Sequence, residues 1–151
     1  MSKFLIFVVV VVLVGVGWYL WSTGVFNQTP EGEGENMTEE NKEEVMVVLA
    51  EQNSSGQSGT ATITETDGGV RVIVEVTGAL AEVAQPAHIH VNACANIGGV
   101  KYPLTSLVNG YSETMLDVSM ADLRAGLPLS LNVHKSAEEV SFYVACGDLV
   151  L

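Results

Sequence analysis

The sequence predicts an all-β domain, an antiparallel sandwich or flattened barrel, behind one N-terminal membrane-spanning helix. Three observations carry that expectation. From Val45 onward, short runs alternate apolar and polar residues and are separated by Gly-, Asn- and Asp-containing breaks, the pattern of half-buried strands. Two of these runs flank Asp67-Gly68-Gly69, a hairpin signal. Phe4 to Trp21 carries no charge, a run just long enough to cross a bilayer as a helix.

Residues 1–21 read as a membrane anchor. Lys3 precedes the apolar run and "EGEGENMTEENKEE" follows it. The positive-inside bias therefore keeps the N-terminus cytoplasmic and places the rest outside, periplasmic or extracellular. Trp18, Tyr19 and Trp21 suit the outer interface. A cleaved signal peptide would end in a small-x-small site. The bulky "WYLW" stands there instead, so an uncleaved single-pass anchor is expected; cleavage would make the domain a secreted one. Residues 22–44, rich in Gly, Glu, Asn and Thr, read as an acidic flexible linker.

Residues 45–151 form the domain. "VMVVLAEQ" opens it as a short apolar strand. In the hairpin, Ala61 and Ile63 alternate with Thr60, Thr62 and Thr64, and Val70, Val72, Val74 and Val76 alternate with polar Arg71 and Glu75. Further strands are expected at 87–92, 112–118, 129–134 and 140–146, giving about seven in all. "DVSMADLRAG", Asp117 to Gly126, holds a helical turn with a serine cap and a terminating glycine. Tyr102-Pro103 reads as a turn with a packed ring, and Met115 and Met120 as core filler.

Acidic residues outnumber basic ones by 18 to 6, a net charge of −12. Such a surface repels phosphate backbones, and no basic cluster compensates, so nucleic acid is excluded as a partner class. The sequence points to no particular protein partner.

The chain has three histidines. In "AHIHV", Ala87, Ile89 and Val91 take one strand face and His88 and His90 the other. In "LSLNVHK", Leu131 and Val133 alternate with Asn132 and His134. All three imidazoles thus avoid the core face. Residues i and i+2 on a strand project the same way, so His88 and His90 can share an ion, and His134 from a neighbouring strand would complete a nitrogen-rich site suited to copper or zinc. Three unrelated surface histidines are the alternative. Cys94 and Cys146 lie in an exported domain, where an oxidising compartment favours a disulfide. Closing that loop would add about 4 kcal/mol on the chain-entropy estimate. Copper–thiolate ligation is the other use of such a pair.

The order "HIH", Cys94, "NVHKSAEEV", "VACGDL" resembles the copper–zinc superoxide dismutase superfamily, and most closely its shorter bacterial dismutase-like and CHRD-type domains. The resemblance spans residues 45–151 and is most specific over 86–104 and 131–148. It implies a Greek-key β-sandwich. His88 and His90 match the family's pair of copper ligands, and His134 matches a later ligand. Glu138 and Glu139 stand where the family has acids, and Cys94 and Cys146 match its bridge.

The departures are equally specific. The histidine that bridges two metals in the family is missing from "CANIGGVKYPL", where Val100 and Lys101 stand near its place. The family's zinc ligands are absent, its electrostatic loop is reduced to the short link between His134 and Val140, and Tyr143 replaces the arginine that guides superoxide. The resemblance therefore implies one copper ion held by His88, His90 and His134, and no zinc. The functional expectation is an exported, membrane-anchored domain with a copper-binding or weak superoxide-handling role. A non-catalytic CHRD-type adhesion module and an active superoxide dismutase are the alternatives.

Overall fold

The computed structural model describes residues 42–151. The expected anchor at 1–21 and nearly all of the 22–44 linker lie outside the described residues. Eight strands are found among them: β1 (Glu44–Glu51), β2 (Ser58–Thr66), β3 (Gly69–Thr77), β4 (Ala87–Val91), β5 (Val100–Pro103), β6 (Tyr111–Leu116), β7 (Leu129–His134) and β8 (Tyr143–Asp148). One short helix, α1 (Met120–Ala125), joins β6 to β7.

All strand pairings are antiparallel, in the order β5-β4-β7-β8-β1-β2-β3-β6. The N-terminal part of β1 pairs with β2, and its end, Ala50 and Glu51, pairs with Cys146 and Ala145 of β8. β1 thus crosses from one half of the sheet to the other. At the opposite seam the Thr105 amide donates to Thr114 Oγ1 of β6 at 2.8 Å, so the sheet comes close to closing on itself.

Period-two alternation decides which face is core. Val47 and Leu49, Ala61 and Ile63, the four valines of β3, Ala87 and Ile89, and Leu131 and Val133 are all buried inward. Each such valine, leucine or isoleucine side chain contributes roughly 1.5–3 kcal/mol relative to exposure. α1 caps one end of this core with Met120 and Leu123. Its capping box is complete: Ser119 Oγ accepts from the Asp122 amide, and the Asp122 carboxylate accepts from the Ser119 amide. Such a cap contributes about 1 kcal/mol.

Three local expectations are corrected. Residues 100–103, including the expected Tyr102-Pro103 turn, form β5, because β4 has an open edge there and pairs His88 with Pro103 and Ile89 with Tyr102. The last strand starts at Tyr143 instead of Val140, since residues 135–142 make a turn in which the Lys135 amide donates to Phe142 O. Met120 is core, but Met115 faces outward and is exposed, because it shares a face with Arg71 across the β3–β6 ladder.

Candidate metal centre

The three histidines come together on the outer face of β4 and β7. Register sets this: His88 lies opposite Asn132, two residues before His134 on the same face, and His90 lies opposite Ser130. One ring nitrogen from each histidine lies within 4.8 Å of the others. The closest pair, His88 Nδ1 and His134 Nε2, is 2.9 Å apart. Two nitrogens bound to one ion at about 2.0 Å sit roughly 3–3.5 Å apart for angles near tetrahedral, so small ring movements would bring the set onto a single ion. The surface-histidine alternative fails for His90 and His134, which are only 4% and 3% exposed; His88 is half-buried.

Backbone carbonyls fix two of the rings. A carbonyl only accepts, so Nδ1–H of His90 donates to Gly98 O at 3.0 Å and Nδ1–H of His134 donates to Val140 O. In each neutral ring Nε2 is then left with a lone pair. The lone pair of His134 accepts from His88 Nδ1–H. That of His90 is buried with no hydrogen-bond partner in the protein. His88 can offer Nδ1 to an ion only after its proton moves to Nε2, and the exposed side of its ring leaves room for that exchange with solvent.

Electrostatics favour the ligand form. Burial, chiefly, pushes the His134 pKa down to about 4; the Val140 carbonyl opposes the shift, and His88 and His90 reinforce it. His88 is lowered by burial and then by His90. Both rings are therefore neutral at neutral pH, as metal binding requires.

The loop between β4 and β5 covers this face. Cys94 and Cys146 form a disulfide with sulfurs 2.08 Å apart, which leaves no thiolate for copper. The Cys94 amide donates to Asp148 Oδ1 at 2.6 Å, and the Gly98 amide to Val91 O at 2.8 Å. These bonds hold the Gly98 carbonyl over His90. A Cβ on Gly98 would lie 2.5 Å from Val91 Cγ2 and 3.0 Å from Val91 O, so Gly98→Ala must push aside the Val91 side chain and press the loop outward. Where the loop shifts, metal binding is expected to weaken about 10-fold, within the range for loss of an outer hydrogen bond to a ligand histidine. Isothermal titration of a still-folded variant measures this; wild-type affinity would show that the carbonyl has no role.

Other residues singled out from the sequence are placed more simply. Glu139 forms a surface ion pair with Lys135 at 2.9 Å, and Glu138 is exposed; both are outside the histidine cluster. Tyr143 stands beside it, its ring edge-on to His134 with centroids 5.2 Å apart. A β-bulge between Val133 and His134 brings Tyr143 opposite His134. The carbonyls of Gly98 and Val140 escaped the sequence reading because a backbone acceptor has no side-chain signature.

Comparison with known proteins adds no relative: no family model matches the chain, and no curated protein matches it.

Proposed function

We propose that the protein is an exported, membrane-anchored, superoxide dismutase-like domain that holds one copper ion through His88, His90 and His134. The observation that carries the metal site is the His90 Nε2 atom, buried without a protein partner beside two imidazoles that burial holds neutral. A buried acceptor left unmade costs about 1–3 kcal/mol, and a soft or borderline cation satisfies it. The antiparallel eight-stranded sheet, with the ligand strands β4 and β7 adjacent, supports the resemblance in the order of histidines and cysteines.

Copper, once bound, would supply a couple that cycles between two oxidation states. The chain's own part is to hold the His88 and His134 rings neutral, orient the His90 and His134 rings through Gly98 and Val140, and exclude bulk water from their inner side. Tyr143 in place of a guiding arginine and the net charge of −12 make attraction of an anion poor. We therefore place copper binding ahead of efficient superoxide turnover. Titration of the full chain with Cu(II) and with Zn(II), read by calorimetry and Cu(II) electron paramagnetic resonance, tests this. One-to-one copper binding with nitrogen hyperfine structure is expected. A copper signal like that of the hydrated ion would overturn the site. Superoxide dismutation faster than that of free copper would move the reading to the enzyme.

A further inference from the structure

Beside the triad lies a second cluster of buried polar groups that neither the fold nor the proposed ligand set uses. Ser130 and Asn132 are both 0% exposed. Ser130 Oγ and both amide atoms of Asn132 have no hydrogen-bond partner in the protein. The register places them on the outer face of β7, Asn132 opposite His88 and Ser130 opposite His90. On the β8 side, Asn132 is opposite Cys146 of the disulfide and Ser130 opposite Asp148. Two fully buried polar residues therefore share a face and a border with the histidines.

Burying such groups unpaired costs about 1–3 kcal/mol for each, and valine or alanine would fill a covered strand face without that cost. Direct ligation of an ion by the amide oxygen of Asn132 would satisfy one of the three atoms. It would leave the amide nitrogen and the Ser130 hydroxyl unpaired. Water, which donates twice and accepts twice, can satisfy all three and, in the metal-free protein, also meet His90 Nε2. Buried waters in proteins characteristically make two to four such bonds.

We propose that Ser130 and Asn132 form an internal water site contiguous with the histidine triad, so that an ion held there has an ordered water on its protein side. The water site stands on the metal-free fold; its contact with an ion rests on the metal-binding reading.

Magnetic relaxation dispersion of water, measured on the metal-free full chain, counts long-lived internal waters. Wild type is expected to show a component that Asn132→Leu loses. Ser130→Ala, which removes only a hydroxyl, keeps the test open should Asn132→Leu fail to fold, and is expected to shorten the lifetime of the same component. Equal signals from wild type and every folded variant would overturn the water site. In the copper-loaded chain transferred to heavy water, deuterium modulation of the Cu(II) electron spin echo is expected, and it should fall in Asn132→Leu. Unchanged modulation would overturn the contiguity. Failure of wild type to bind copper would overturn the metal reading, and the contact with an ion along with it, while leaving the relaxation result to decide the water site.

Discussion

Replacing His134 with alanine is expected to lower copper affinity by more than the roughly 100-fold at the upper end for losing an outer-shell contact. His134 is the only ligand candidate from β7, and its Nε2 lies 2.9 Å from His88 Nδ1. Without it, two imidazoles from one strand remain, and no other side chain of the cluster replaces the third. The same substitution should change the acid behaviour of the metal-free protein. An unfolded histidine titrates near 6.5, whereas burial holds His134 at about 4 in the fold. Between those values the unfolded chain binds more protons, so stability falls as pH drops through that window and levels off below it. The slope from this one group is at most about 1.4 kcal/mol per pH unit. His134→Ala should lose that contribution while keeping whatever His88 adds. Competition with a chromophoric chelator gives the affinity, and urea melts at pH 7 and pH 5 give the slope. Wild-type copper affinity in a folded His134→Ala protein would remove His134 from the site.

The histidines were legible because strand alternation is a local rule. In "AHIHV" and "LSLNVH" the apolar residues mark the core face, so the imidazoles had to share the other one. Their burial was not legible. An outward strand face is normally solvated, and here the loop folded back over β4, with Val140 and Tyr143 beside His134, covers it. That fold-back depends on the bond between Cys94 and Cys146 and on the close fit of Gly98, both long-range consequences of packing. β5 was missed for a similar reason: "VKYP" has little strand pattern of its own, and it is extended because the open edge of β4 needs partners for its backbone groups. Ser130 and Asn132 alternate with Leu131 and Val133, and alternation alone reads them as solvent-facing. The structure buries them fully, which turns an ordinary amphipathic strand into one with unpaired polar groups.

Removing the disulfide, as Cys94→Ser with Cys146→Ser, is expected to cost about 4 kcal/mol of stability and also to weaken metal binding. The first effect follows from chain entropy, since the bridge spans a sequence separation of 52 residues and the unfolded chain is freed when it is cut. The second follows from position. Cys94 lies in the loop whose Gly98 carbonyl accepts from His90 Nδ1–H, and Cys146 lies opposite Asn132 on β7. With the bridge gone, the Cys94 amide bond to Asp148 and the Gly98 amide bond to Val91 O would have to hold the loop unaided. The His90 ring would then lose its fixed tautomer for part of the time, and affinity should fall about 10- to 100-fold. Gly98→Ala separates the two effects, because it should reproduce the affinity loss while leaving the covalent constraint intact. Guanidinium melts and copper titrations on both variants measure them. A double serine variant that loses stability but keeps wild-type affinity would show that these two hydrogen bonds suffice to seat the loop, and the bridge would then serve the fold alone.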